Sequence, residues 1–295
     1  MKILITGGRG QLGRDCVTCL AQGHDVTAAD LPELDIADPS AVAKLIESRT
    51  PEVVINCAGF TQVDACEKEP AAAWRVNAQG PEILAGALAR YGARLIHIST
   101  DYVFDGRRAI PEPYLETDTP APQSAYGRSK LAGEQAVLEA SDRHMVVRTA
   151  WLYGANGANF PKTMLRLALN PKHAPIKVVC DQLGSPTWSW RLALQLARLA
   201  ESQGRGIYHA TAEGHGSWYD LACHFLERMA VPHALVPCTT RDYPTPATRP
   251  ANSILENQRL KAEGLHLMAP WRDDVDRFVR AHGDRLMEEI QKETL

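Results

Sequence analysis

Tyr126 and Lys130 stand four residues apart in the run YGRSK. In a helix, residues at this spacing lie on one face, so a phenol and an amine can meet at one spot. The charge of such a lysine lowers the pKa of the phenol, which can then give or take a proton near neutral pH. The pair therefore predicts proton transfer, although this spacing also arises often by chance.

The position of the pair along the chain supports the catalytic interpretation. It follows a predicted strand at 93–99 and opens a predicted helix at 127–140. Ser99 and Thr100 come at the end of that strand, where a hydroxyl group can hold a substrate carbonyl. The catalytic candidates are therefore Thr100, Tyr126 and Lys130.

A glycine pattern, G-x-x-G-x-x-G, separates a predicted strand at 2–6 from a predicted helix at 10–22. Glycine lets the backbone wrap tightly, so that a pyrophosphate can sit on the helix N-terminus. The position between a strand and a helix favours a dinucleotide site over a purely structural turn. The predicted cofactor residues of this loop are Gly7, Gly10, Gln11, Leu12 and Gly13.

Asp30 ends a second predicted strand at 25–29. An acidic residue there can accept hydrogen bonds from the adenosine ribose and repel a 2′-phosphate, which favours NADH. Arg9 could instead bind such a phosphate, so the cofactor is predicted as NADPH or NADH; alternatively, Asp30 only caps a helix or turn. The other predicted cofactor residues are Asp35, Ile36, Ala58, Gly59, Thr61 and Ser99, together with Tyr126 and Lys130.

Alternating apolar runs and helical segments predict the fold that positions these residues. The predicted strands are 2–6, 25–29, 53–59, 93–99 and 144–149, with helices between them at 10–22, from Pro39 onward with Asp38 as its N-cap, at 71–91 and at 127–140. Strands that are apolar along their whole length indicate a parallel sheet covered on both faces. The predicted class is α/β, a Rossmann-type doubly wound sheet with a smaller C-terminal α/β substrate lobe.

In the second half of the chain, predicted strands and helices alternate less regularly. We expect 176–182 to add one more strand to the sheet, and we interpret the other segments as helices at 188–203 and 217–229, a short strand at 206–211 and an ordered proline-rich loop at 237–252. Two domains are predicted. Residues 1–150 form the dinucleotide-binding domain, which segments near 176–200 rejoin, and residues 151–295 form mainly a substrate-binding lobe.

The composition is that of an ordinary globular protein, with 45% hydrophobic and 23% charged residues. A net charge of −3 gives no indication of a nucleic-acid surface. We expect neither a membrane span nor a secretory signal, and hence a cytoplasmic protein. The seven cysteines are scattered, and the C-x-x-C of Cys16 and Cys19 lies inside a predicted helix. We interpret these cysteines as thiols in a reducing compartment rather than as zinc or redox sites.

Several longer runs carry a resemblance that covers nearly the whole chain. They are ILITGGRGQLG (3–13), VVINCAGFTQVDACE (53–67), VN (76–77), ISTDYVFDG (98–106), YGRSKLAGE (126–134), RTAWLYG (148–154), DQLGSPTW (181–188), GIYHATAEGHGSWYDLA (206–222) and RPANSILEN (249–257). With these runs the sequence resembles the extended short-chain dehydrogenases and, within them, the dTDP-4-dehydrorhamnose reductase family.

The resemblance implies hydride transfer from a nicotinamide to the 4-keto carbon of dTDP-4-dehydro-L-rhamnose, giving dTDP-L-rhamnose for cell-surface polysaccharide. It implies that Tyr126 donates the proton, Lys130 supports Tyr126 and Thr100 steadies the alkoxide. The implied substrate residues are Tyr102, Val103, Trp151, Gln182 and Arg249. Trp151 would form an apolar wall, or simply core. Arg249 would bind the diphosphate, or form a surface ion pair.

The resemblance leaves other functions open. Another nucleotide-sugar reductase or epimerase could use the same scaffold, and the regulatory subunit of methionine adenosyltransferase is similar but non-catalytic. Some family members bind Mg²⁺ at a homodimer interface through C-terminal acidic residues, here Glu288, Glu289 and Glu293. No catalytic metal is expected. His97 and His209 are interpreted as buried structural residues, His209 as one that holds a loop of the lobe.

Overall fold

The computed structural model describes residues 1–170, 172 and 175–294, and for Glu293 and Thr294 the backbone alone. The strands are β1 (Lys2–Thr6), β2 (Asp25–Ala29), β3 (Val53–Asn56), β4 (Arg94–Thr100), β5 (Met145–Thr149), β6 (Leu152–Tyr153), β7 (Ile176–Val179), β8 (Leu183–Gly184), β9 (Thr187–Trp188), β10 (Gly206–His209), β11 (Gly216–Ser217) and β12 (Leu235–Cys238). The α-helices are α1 (Gln11–Leu20), α2 (Pro39–Arg49), α3 (Val63–Lys68), α4 (Pro70–Trp74), α5 (Gly80–Tyr91), α6 (Ala125–Ala140), α7 (Phe160–Ala168), α8 (Ser189–Glu201), α9 (Trp218–Arg228), α10 (Gln258–Ala262) and α11 (Trp271–Thr294).

The central sheet has six parallel strands in the order β10-β5-β4-β3-β1-β2. The predicted doubly wound α/β fold is confirmed, since the strand order reverses at β1 and helices cover both faces. The apolar strands allow this arrangement because each must be buried on two sides.

The sixth strand is not the segment that the sequence suggested. We expected 176–182 to join the sheet, but β7 pairs in parallel with β12, away from it. The strand that extends the sheet is β10, which pairs with β5. Both segments are short and apolar, and such a pattern indicates burial without specifying the partner strand. His209 ends β10 and therefore belongs to the main sheet, not to the lobe; its Nδ1 lies 3.1 Å from the carbonyl oxygen of Glu256 and ties a loop to it.

Three apolar clusters hold the layers together. One lies between the sheet and the packed helices α1 and α8, where Leu12 and Leu196 are buried. A second lies on the opposite face under α2 and α5, with Ile46 and Leu88 buried. The third is the core of the C-terminal lobe, where α7, α9 and α11 meet around Phe278. Among the described residues, no helix is long and apolar enough to cross a membrane.

A local signal fixes the start of α2 as predicted. The Asp38 side chain caps α2 by accepting hydrogen bonds from the amides of Ser40 and Ala41, with Pro39 in the first turn. The helix expected at 71–91 is present as α4, a π-helical turn at Arg75–Gln79 and α5. π-helical turns of this kind commonly occur beside functional sites.

Candidate active site

A cleft of about 450 Å³ opens at the carboxyl ends of β1, β3 and β4. In a doubly wound fold this is the edge at which ligands bind. Most of the sequence-predicted site residues line it: Gly10, Gln11, Leu12, Ala58, Gly59, Thr61, Ser99, Thr100, Tyr102, Tyr126, Lys130, Trp151 and Arg249.

The glycine turn after β1 has the backbone geometry that a pyrophosphate needs. Gly7 has a φ of +68°, and a Cβ there would lie 2.6 Å from the amide nitrogen of Ala58. A Cβ on Gly13 would lie 2.1 Å from the carbonyl oxygen of Gly7. Only glycine fits at these two positions, so the turn stays tight and the start of α1 faces the cleft. These residues fit a dinucleotide held by its phosphates.

Tyr126 lies in the first turn of α6, which Ser124 caps by accepting a hydrogen bond from the amide of Gly127. The side chain is buried, and burial raises the pKa of the phenol, while a hydrogen bond with Thr100 opposes the shift. The spacing of Tyr126 and Lys130 predicted a lowered pKa for the phenol, but burial outweighs any effect of the lysine charge. The phenol is therefore protonated at neutral pH and can donate a proton.

Lys130 lies one turn further along α6 and is also buried. Its Nζ donates to the carbonyl oxygen of Ile98 at 2.6 Å and lies 3.3 Å from Nε2 of His97. Burial lowers the pKa of Lys130 to about 8. The lysine thus titrates near physiological pH instead of carrying a permanent charge.

Thr100 and Asp101 end β4 beside the phenol. The Thr100 hydroxyl donates to Oδ1 of Asp101 at 2.8 Å. Burial raises the pKa of Asp101 to about 6, although hydrogen bonds from Thr100 and Ser253 oppose the shift. The cleft therefore holds two buried groups, Asp101 and Lys130, whose charges respond to pH near neutrality.

Two tryptophans form one wall of the cleft. The rings of Trp151 and Trp218 are stacked, with centroids 3.6 Å apart and planes 2° from parallel. Trp151 has a φ of +49°, an uncommon value for a side chain this large, and its Nε1 donates to Ser253. Backbone strain of this kind often occurs in ligand sites. The wall is flat and apolar, as a deoxy-sugar ring would require.

Arg249 reaches the mouth of the cleft from the C-terminal half. Its guanidinium forms an ion pair with Asp64 at 2.9 Å and donates to the Tyr102 hydroxyl at 3.1 Å. The structure therefore leaves both alternatives for Arg249 open. Its side chain lines the cleft, where it could bind the diphosphate, and it already forms an ion pair.

Five predicted residues lie elsewhere. Asp30 lines a neighbouring cavity of about 280 Å³ with Arg9, Glu33 and Arg49, and it accepts hydrogen bonds from the amides of Arg9 and Leu31. These bonds fit the turn-stabilising alternative and leave the contact with ribose a prediction.

The other four make contacts within the protein. Asp35 is ion-paired with Arg75, and Ile36 is buried under α2. Val103 is fully buried in a small core cluster, so its side chain does not reach the cleft. Gln182 is buried and accepts a hydrogen bond from Trp218 Nε1, so its contact with the cleft is indirect.

Trp218 and Asp101 are site residues to which the sequence argument gave no role. Trp218 stands in the run GSWYD, where a capping box at Ser217 marks a helix start, and its indole is held by stacking on Trp151 and by a hydrogen bond to Gln182. Asp101 follows the catalytic candidate Thr100, but only the structure reveals that its carboxyl is buried.

The C-terminal acidic residues considered for Mg²⁺ have other partners here. Glu289 pairs with Lys162 at 2.7 Å, and Glu288 lies 3.8 Å from Lys292. The side chain of Glu293 lies outside the described residues. Within residues 1–170, 172 and 175–294, no group of three or more His, Cys, Asp or Glu side chains is arranged to hold a metal ion.

The parallel sheet, the glycine turn and the Tyr126–Lys130 pair in one cleft define the class of short-chain dehydrogenases. The sequence model of the RmlD substrate binding domain family matches residues 1–283, and this chain belongs to that family.

Individual relatives agree with this family, and the resemblance found in the sequence is confirmed. A dTDP-4-dehydrorhamnose reductase from Mycobacterium tuberculosis is 46% identical over 277 residues, covering 92% of this chain and 90% of that protein. The crystal structure of a dTDP-4-dehydrorhamnose reductase from Clostridium acetobutylicum has a TM-score of 0.91 and 41% identity, covering 95% of this chain and 99% of that one. The Bacillus anthracis dTDP-4-dehydrorhamnose reductase, crystallised in complex with NADP, has a TM-score of 0.89 and 38% identity, covering 95% of this chain and 98% of that one.

Proposed function

We propose that this protein is an NAD(P)H-dependent reductase that converts dTDP-4-dehydro-L-rhamnose into dTDP-L-rhamnose. The observation that carries the proposal is the convergence of Thr100, Tyr126 and Lys130 in one cleft, between the glycine turn and the tryptophan wall. Family membership and the relatives named above supply the sugar nucleotide as the substrate class.

Each half of the chain contributes one part of the site in this proposal. Residues 1–150, completed by β10 and α8, hold the dinucleotide through the glycine turn. Residues 151–295 mainly hold the sugar nucleotide, through Trp151, Trp218 and Arg249. Bound NAD(P)H would supply a hydride to carbon 4 of the sugar.

Tyr126 donates its phenolic proton to the oxygen on carbon 4 as negative charge develops there. Burial keeps the phenol protonated before the reaction. At neutral pH this suits reduction of a ketone, which needs a proton donor, better than oxidation of an alcohol, which needs a base. The Thr100 hydroxyl stabilises the same oxygen once it rotates away from Asp101. Lys130 stands close enough along α6 to support the phenolate that remains.

The remaining predictions concern the setting. We propose that the reaction takes place in the cytoplasm, where reduced coenzyme is available, and that the substrate is a small molecule rather than a nucleic acid or a membrane. A homodimer, with or without Mg²⁺ at its interface, stays a prediction of the resemblance.

The test is coenzyme oxidation with NADH and NADPH in parallel, while the upstream dehydratase and epimerase generate dTDP-4-dehydro-L-rhamnose. We expect Tyr126→Phe to lower kcat by about 10²–10⁴-fold, the usual contribution of a positioned proton donor. Tyr114→Phe is the matched control, because that tyrosine is also buried but bonds to Asp105 outside the cleft. It should leave the rate nearly unchanged.

Three outcomes of this experiment would each contradict a different part of the proposal. Coenzyme binding without oxidation would exclude this substrate and direct the search to other nucleotide sugars, as reductase or epimerase substrates. Oxidation that survives in Tyr126→Phe would remove the proposed proton donor. A protein that binds both ligands and turns over none would favour the regulatory alternative.

A further inference from the structure

His97 is a buried titratable residue that the proposed reaction does not use. It lies in β4 with no exposed surface and bridges two polar groups. Its Nδ1 lies 3.0 Å from Nδ2 of Asn56, and its Nε2 lies 3.3 Å from Nζ of Lys130. The histidine therefore connects the end of β3 to the catalytic lysine.

The orientation of the Asn56 amide is fixed by its other contacts. Its Oδ1 accepts hydrogen bonds from the backbone amide of Ala58 at 3.1 Å and from the Thr6 hydroxyl at 2.7 Å. A backbone N–H can only donate, so the atom facing it must be the oxygen. The amide nitrogen of Asn56, which also only donates, must therefore point at His97.

This contact determines the tautomer of His97. Because Nδ1 receives a hydrogen bond from Asn56, it must be unprotonated, and a neutral ring then carries its proton on Nε2. Burial and the neighbouring Lys130 hold the pKa of His97 well below its usual value, so the doubly protonated ring is disfavoured. The Nε2–H bond consequently points at Nζ of Lys130.

An N–H group can donate to an amine nitrogen but not to an ammonium, which has no lone pair. We propose that His97 is a positioning residue for Lys130, whose Nε2–H donates to the neutral amine and opposes the ammonium form. The Ile98 carbonyl accepts one N–H of either form and keeps Nζ in place. The charge of Lys130 thus depends on which acceptors reach it in the cleft.

The other titratable groups around Lys130 do not reproduce this effect. On its own helix, Glu134 favours the ammonium form, but that carboxylate is held by a buried ion pair with Arg148 of β5. The Cys57 thiol beyond β3 acts in the same direction as Glu134, and Tyr126 lines the same cleft. Glu134 and Cys57 thus act against burial, whereas His97 presents an N–H to Nζ, which favours the neutral amine.

The test uses the ligand-free protein, so its outcome does not depend on the proposed reaction. Nitrogen-15 NMR of labelled histidine reports the tautomer of His97, with His97→Gln to assign the signal. We expect a neutral ring protonated at Nε2 throughout the neutral range. A proton on Nδ1, or a charged ring, would overturn the proposal.

Carbon-13 NMR of the lysine side chains then gives the titration midpoint of Lys130, assigned with Lys130→Arg. His97→Asn keeps an oxygen that can accept from Asn56 but has no group that reaches Lys130. His97→Gln, which is longer, keeps an N–H at the position of Nε2. We expect His97→Asn to raise the midpoint by about half to one pH unit, the effect of one hydrogen bond, and His97→Gln to change it much less. Equal midpoints in the two variants, or an ordinary lysine midpoint in the parent protein, would show that His97 is only a structural residue.

Discussion

Asp101 places a carboxylate where water hardly reaches it, with 3% of the residue exposed. Its pKa is raised to about 6 because burial penalises the charged form more than its hydrogen bonds favour it. The folded protein therefore binds this proton more tightly than the unfolded chain does. Ionisation of Asp101 costs stability above about pH 6 and costs nothing below about pH 4.

Asp101→Asn should remove that cost without changing the shape of the side chain. We expect the variant to be more stable than the parent by about 2–3 kcal/mol at about pH 8, with the difference vanishing by about pH 4. Urea unfolding at the two pH values measures this. Asp142→Asn, which changes an exposed aspartate in the loop after α6, is the control and should change stability little at either pH. A destabilised Asp101→Asn at the higher pH would contradict the argument.

Trp218 contributes contact area to the cleft through its stack with Trp151, apart from the proposed proton donor Tyr126. We expect Trp218→Ala to raise KM for the sugar nucleotide about tenfold and to change kcat less, because the lost contact is equal in ground and transition states. Steady-state kinetics with saturating coenzyme gives both constants. Trp190→Ala removes a partly exposed tryptophan of α8 that lines a different cavity, and equal effects of the two changes would contradict the assignment.

At the scale of elements, α6 lies unusually close to the π-helical turn before α5. A Cβ on Gly133 would lie 2.2 Å from the carbonyl oxygen of Asn77, and backbone atoms cannot yield easily at that distance. The Asn77 side chain also bonds to Ser129 and to the backbone of Phe60, which follows the small residues of the cofactor loop. The close contact therefore positions the catalytic helix against the loop after β3.

Gly133→Ala should force the two elements apart. We expect a loss of at least about 2 kcal/mol in the free energy of unfolding, and a lower kcat because Tyr126 and Lys130 move with α6. Gly86→Ala is the matched control in α5, where the nearest atom to a new Cβ is the flexible end of Arg90 at 3.7 Å. That change should stabilise the helix by up to about 1 kcal/mol. Thermal unfolding of both variants tests the pair.

The elements also show what a sequence can reveal. Asp38 and the glycines after β1 could be predicted because cap and turn signals act over a few residues. The choice between β7 and β10 as the sixth strand could not, since pairing across the sheet is decided by distant segments that the local pattern does not encode.

The meeting of Tyr126 and Lys130 in one cleft was predictable for the same reason as the cap, because helical spacing places them on one face. The phenol is buried by side chains distant in the sequence, such as Cys66 and Ala73, and Asp101 is approached by Ser253 from the second half of the chain, so only the structure reveals the burial that raises both pKa values. Gln182 illustrates the same limit: the sequence suggested a substrate contact, whereas the structure shows a buried side chain that bonds to Trp218.

At the scale of the whole molecule, the boundary near residue 150 does not separate two independent structures. β10 supplies the outer strand of the main sheet, and α8 covers the face beside α1. We expect a fragment of residues 1–150 to aggregate, because β5 becomes an open edge and an apolar face loses its cover. Soluble yield, circular dichroism and coenzyme binding measure this. A soluble fragment that unfolds cooperatively and binds coenzyme would show that residues 1–150 are self-sufficient.

The position of β10 late in the chain also affects folding during synthesis. In a chain emerging from the ribosome, the first five strands, β1 through β5, can form their sheet early. The backbone groups at the outer edge of β5 have no hydrogen-bond partner until residue 209 has been made. Nascent chains at that stage resemble the intermediates whose exposed strands associate with one another. Growth conditions that slow translation between β5 and β10 would lengthen this vulnerable interval, and a chaperone that shields strand edges would be most useful there.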